Sequence, residues 1–116
     1  MGANLVVICG DSHNGWAFDL GQDGKPAGVE FAGHSVTSPG YEASTATDPK
    51  VIAAALVATN PELKWCDTSR RGYMALTLTP AQAKNDWVFL DTITQRSLKA
   101  SVGHTATVTR GRNVMG

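Results

Sequence analysis

The chain is short of most features that would announce a partner. Its 116 residues carry ten basic and ten acidic side chains, a formal net charge of zero. No Lys/Arg run breaks that balance, so the electrostatic footprint of a nucleic-acid or membrane-surface binder is missing. The apolar run near the start, Leu5 to Cys9, is far below the roughly 20 residues of a membrane span. No basic stretch precedes it and no small-residue cleavage site follows it, so no secretory signal is read here. Val6 stands where myristoylation would want Ser or Thr. Two cysteines, Cys9 and Cys66, have no metal-type spacing and leave pairing open. There is no Gly-x-Ser-x-Gly elbow, no phosphate loop of the Walker type and no Ser-His-Asp arrangement.

What is present is the composition of an ordinary globular chain, 42 % hydrophobic and 17 % charged. The length suits one small domain over residues 1–116, burying roughly 65 % of its unfolded surface. Asn4 to Cys9 is apolar without alternation, which predicts a strand covered on both faces in mid-sheet. Gly10 to Gly15 is a polar loop beyond its carboxyl end, where α/β sheets place ligands. Trp16–Leu20 and Val29–Ala32 read as a hairpin around Asp23-Gly24. Residues 33–49 read as an extended loop. Asp48 as cap, Pro49 at the first position and Val51, Ile52, Ala55, Leu56 and Ala58 as an apolar stripe predict a helix ending at Asn60-Pro61. Pro61 to Asp67 reads as a short turn setting Leu63 and Trp65 against the core. Gly72–Thr79, Asn85–Thr92 and Thr105–Arg110 alternate as half-buried strands, with Pro80–Ala83 as a turn. The sum is an α+β chain: a mixed β-sheet with β-hairpins and one main helix.

The densest polar group is Asp11, His13 and Asn14. A carboxylate and an imidazole two residues apart can share one metal, and the pair suits Zn, Mn or Fe better than Ca alone. An Asx turn at Asp11 with His13 as a plain loop residue is the competing reading. His34 either approaches such a site or is a solvated loop histidine. Arg71, beside Arg70, either forks onto a phosphate or belongs to a surface pair that holds Asp67 or the helix end. Trp16, Trp65 and Trp87 read as core or interface aromatics.

Three blocks carry a family resemblance. Val6-Val-Ile-Cys-Gly-Asp-Ser-His-Asn-Gly-Trp-Ala17 resembles the Gly-Asp-x-His-x-x-Trp-Ala segment of PhoD-like alkaline phosphatases and phosphodiesterases. Glu30-Phe31 with Ser35-Val-Thr-Ser-Pro-Gly40 resembles the family's Glu-Phe and Ser-x-x-Ser-Pro-Gly loop, and Asn60-Pro-Glu-Leu-Lys64 with Arg71-Gly-Tyr73 its Asn-Pro-x-Leu-Lys and Arg-Gly-Tyr region. The resemblance implies the C-terminal part of a calcineurin-like metallophosphoesterase fold, an α/β sandwich of two mixed sheets between helices. It also implies phosphate-ester cleavage at a multinuclear centre of Ca, Fe, Mn or Zn, and a periplasmic or secreted setting. Asp11 and His13 would be metal ligands, with Asn14 beside them as a catalytic or substrate-binding residue and His34 and Arg71 as further substrate-binding residues.

Members of that family are several hundred residues long, and their other metal ligands lie upstream of these blocks. The remaining donors here, Asp19, His34, Asp48, Cys66, Asp67, Asp86, Asp91 and His104, are scattered. The expectation is therefore a segment with part of a metal site. The alternative is a catalytically inactive domain that keeps the family scaffold and forms a homo-oligomer through unpaired strand edges.

Overall fold

A computed structural model describes residues 4–43 and 46–116. The strands are β1 (Leu5–Cys9), β2 (Gly15–Gln22), β3 (Lys25–Ala32), β4 (Leu63–Asp67), β5 (Gly72–Leu78), β6 (Gln82–Leu90) and β7 (Ala100–Thr109), with helix α1 (Pro49–Thr59) between β3 and β4. They form a four-stranded sheet in the order β1-β3-β2-β4 and a three-stranded sheet in the order β5-β6-β7. In the first sheet β1 runs parallel to β3 and the other pairs are antiparallel. The second sheet is antiparallel throughout, not mixed.

Local sequence explains several elements. Asp23 (φ 54°) and Gly24 (φ 76°) both take the left-handed turn conformation, so the β2–β3 hairpin closes in two residues and its strands run longer than the alternation alone suggests. The Asp48 carboxylate accepts from the Lys50 N–H at 2.9 Å, and Pro49 opens α1. At the other end the Asn60 N–H reaches the Leu56 carbonyl.

The two sheets pack face to face. Ala17, Val29 and Phe31 of the first meet Ala83, Trp87, Phe89, Ala106 and Val108 of the second, all buried. Phe31 and Trp87 stand edge to face at 5.5 Å, and the indole N–H of Trp87 donates to the Ala32 carbonyl at 3.0 Å. That bond satisfies the one polar atom of the largest buried ring and pins the sheets in register. Trp65 extends the contact, 4.9 Å from Trp87 and stacked on His104 at 4.2 Å.

Four expectations change. β1 is not in mid-sheet but at an edge, with Leu5 and Ile8 45 % and 55 % exposed; apolarity on both faces identifies a strand without saying which neighbours it has. Residues 63–67 form β4 rather than a turn, because pairing with β2 satisfies their backbone, although Leu63 is buried as expected. Helix α1 buries no residue; Ile52, Ala53 and Leu56 are half-covered by β4, while Val51, Ala55 and Ala58 face outward. β6 starts at Gln82 and β7 at Ala100, earlier than the alternation marks, since cross-strand pairing continues through residues 82–84 and 100–104. The cysteines are not paired: Cys66 lies under α1 with its thiol directed at the Ala53 carbonyl, and exposed Cys9 donates to Glu30.

Candidate metal and phosphate site

Chain direction gathers the candidate residues. Because β1 and β3 are parallel, the loops that leave Cys9 and Ala32 emerge at one end of the first sheet. Antiparallel pairing puts the start of β2 and the end of β4 there too, with Gly15 opposite Asp67. Gly10–Asn14, the 33–43 segment and Asp67–Arg71 therefore converge, outside the carboxyl ends of two parallel strands.

Within the first loop Asp11 and His13 are exposed and both have left-handed backbones, φ 80° and 64°. Two non-glycine residues in that region, two positions apart, make a loop whose shape has to be held by its surroundings. Asn14 is fully buried, and its amide donates to the Ser12 carbonyl at 3.0 Å. The Ser12 hydroxyl in turn accepts from the Trp16 indole at 2.6 Å.

The imidazole of His13 decides what the loop can do. Its Nδ1 lies 2.9 Å from the Pro39 carbonyl oxygen. A carbonyl only accepts, so the proton sits on Nδ1 and the Nε2 lone pair is directed away, available to a cation. A backbone carbonyl that fixes the tautomer in this way is the usual support of a metal-binding histidine.

Arg71 occupies the centre of the convergence and is 4 % exposed. Its Nη1 donates to the carbonyls of Ser38, at 2.9 Å, and of His13, while Nη2 pairs with the Glu42 carboxylate at 3.2 Å. Gly40 leaves room for this group: a Cβ there would come within 2.4 Å of the Asn14 side-chain oxygen and 2.6 Å of Arg71 Nη2. His34 is half-buried against Phe89 and donates from Nε2 to the Val88 carbonyl at 3.1 Å. Burial chiefly pushes its pKa down, so it stays neutral.

The other donors do not join Asp11 and His13. Asp19 accepts from the Met115 N–H, Asp48 caps α1, and Asp86 accepts from the Thr105 hydroxyl. Asp67 accepts from the Ser69 and Arg70 N–H groups. Burial raises the Cys66 thiol to about 11 and so keeps it protonated. Among the described residues no group of three or more His, Cys, Asp and Glu side chains could hold an ion. The donor types fit part of a metal centre, with Asp11 and His13 as two candidate ligands on one loop. Sequence reasoning singled out both as candidates, but not Pro39, Ser38 and Glu42, whose parts are played by a backbone carbonyl or by a side chain 29 residues from its partner.

A two-sheet, strand-rich domain with a histidine-bearing loop at the carboxyl end of parallel strands is the class that these observations define. Comparison with known proteins sharpens it: the family model described as PhoD-like phosphatase matches residues 1–87, and the chain belongs to that family. Alkaline phosphatase D of Bacillus subtilis (strain 168) is 35 % identical over 97 residues, covering 79 % of this chain and 16 % of that relative. A solved structure titled "Structure of PhoD" superposes with a TM-score of 0.74 over 99 % of this chain and 22 % of its own, at 21 % identity, a likeness of fold. The chain thus spans about a sixth of the curated relative's length.

Proposed function

We propose that this chain is a segment of a metal-dependent phosphoric ester hydrolase, the C-terminal part of a metallophosphoesterase sandwich, carrying part of the metal site. Asp11 and His13 are its metal ligands. The single observation that supports this most is the Nδ1–H bond from His13 to the Pro39 carbonyl, which leaves Nε2 unprotonated and outward-facing. Ca, Fe, Mn or Zn held there, with further ligands from outside these 116 residues, supplies Lewis-acid polarisation of a phosphoryl oxygen and acidifies a bound water. The chain's own residues set the geometry: buried Asn14 braces the ligand loop through the Ser12 carbonyl, and neutral His34, bonded to the Val88 carbonyl, stands on the segment that converges with it. Arg71, the third residue expected to touch substrate, is taken up below. A periplasmic or secreted setting accompanies this reading; no helix among the described residues is long and apolar enough to cross a membrane.

The test is hydrolysis of p-nitrophenyl phosphate by the purified chain, scanned over Ca, Mn, Zn and Fe, with the Asp11→Asn/His13→Ala double variant as control. Metal-dependent hydrolysis that disappears in the double variant supports the reading. Hydrolysis no greater than that of the variant with any metal favours the second one, an inactive and self-associating scaffold. That reading draws on the two-ligand donor set and on the apolar edge strand β1. It expects a homodimer or larger species by light scattering, and a monodisperse monomer would count against it.

A further inference from the structure

We propose that Arg71 is a positioning residue for the Nε2 atom of His13 and not a ligand of the substrate phosphate, an inference that rests on the metal-site reading above. A guanidinium that is 4 % exposed needs partners, since burying an unpaired cation is costly, and its two terminal nitrogens have them, while Nε is buried without one among the described residues. The matching partners here are structural. Nη1 is shared between the carbonyls of His13 and Ser38, on two different loops, and Nη2 is paired with Glu42.

The same two loops are tied a second time by His13 itself, whose ring donates to Pro39, the residue after Ser38. His13 is therefore held at its backbone by Arg71 and at its ring by the segment that Arg71 also holds. Its left-handed φ of 64° is unfavourable for a non-glycine residue and persists because its carbonyl has this cationic donor. A planar fork can meet carbonyls and a carboxylate in fixed directions at once, whereas a lysine ammonium is a single point on a flexible stem. As a phosphate ligand through its terminal nitrogens, Arg71 would have to compete with the bonds that shape the loop, and its unpartnered Nε is buried.

Two variants of the whole 116-residue chain test this, Arg71→Lys and the milder Glu42→Gln, whose carboxylate is partly exposed. The first readout is the His13 tautomer, from ring-nitrogen NMR without metal or phosphate. The second is the midpoint of Mn²⁺-induced broadening of the His13 ring signals, also without phosphate. In the wild type the proton is expected on Nδ1. Both variants are expected to shift His13 toward a tautomer mixture and to weaken the Mn²⁺ midpoint about 10- to 100-fold, the usual cost of losing a ligand's support. An unchanged tautomer and midpoint in both variants, with only inorganic-phosphate binding weakened, would overturn the proposal and return Arg71 to substrate contact. If Arg71→Lys does not fold, Glu42→Gln carries the same two readouts. Should Mn²⁺ leave wild-type His13 unbroadened, the metal reading fails by itself, and the metal-free tautomer still decides whether Arg71 positions the ring.

Discussion

Arg70 and Arg71 are consecutive, and they live in opposite environments. The Arg70 side chain is 47 % exposed, bridges to the Asp67 carboxylate at 2.7 Å and lies 3.8 Å over the Phe89 ring. Arg71 turns inward, and its side chain is 3 % exposed. The difference comes from where each falls relative to β5. Arg70 closes the turn that Asp67 nucleates, whereas Arg71 immediately precedes β5, its own carbonyl accepting from the Leu90 N–H. One arginine thus decorates a folded surface and the other joins three segments that are distant in sequence. Residue type carried no information on which would be which.

Removing each side chain should break the comparison open. Arg71→Met is expected to cost the most, about 3 kcal/mol of unfolding free energy, because it strands two carbonyls and the Glu42 carboxylate; a urea midpoint close to wild type would refute the clamp. Next comes Gly40→Ala, expected to cost about 2 kcal/mol by overpacking against Asn14 and Arg71 without changing any charge, measurable in the same titration.

Asn85 sharpens the contrast from the other side. It is a fully buried amide on the inward face of β6 whose oxygen and nitrogen both lack partners among the described residues. Asn85→Val should therefore raise stability, by about 1 kcal/mol. A lower melting temperature would show that the amide is satisfied after all.

Acidification probes the turn below Arg70. Burial raises the pKa of Asp67, but the N–H groups of Ser69 and Arg70 and the Arg70 guanidinium outweigh it, and the net value lies below the ordinary one. A depressed carboxylate contributes stability that is present above its unfolded pKa and lost as pH falls through its lower folded value. Wild type should therefore lose its advantage over Asp67→Asn below about pH 4, seen in melting curves taken down to acid pH. Arg70→Ala is expected to have the smallest effect, about 0.5 kcal/mol, since its ion pair and ring contact are half-solvated; a loss like that of Arg71→Met would erase the distinction between them.

Much of the fold was legible before any coordinates. Helix α1 is written in Asp48-Pro49 and its end at Asn60-Pro61, and the β2–β3 hairpin in Asp23-Gly24, because capping and turn conformation depend on residues within a few positions. The candidate ligands Asp11 and His13 were legible for the same reason, as a short polar motif after an apolar strand. β4 was not legible, because five residues with no turn chemistry of their own became a strand only by pairing with β2. Nor was the edge position of β1, which depends on strand order and not on the strand's own composition.

The sequence by itself determined helix α1, the β2–β3 hairpin and which loop carries the candidate donors Asp11 and His13, since these follow from short-range sterics and hydrogen bonding. Only the tertiary structure decided that His13 keeps its proton on Nδ1, that Pro39 receives it, and that Arg71 rather than Arg70 is buried at the junction. Those outcomes depend on carbonyls and carboxylates contributed across 26, 29, 33 and 58 residues of chain. No local pattern encodes such separations; they come together only when the sheet order brings the loops to one end.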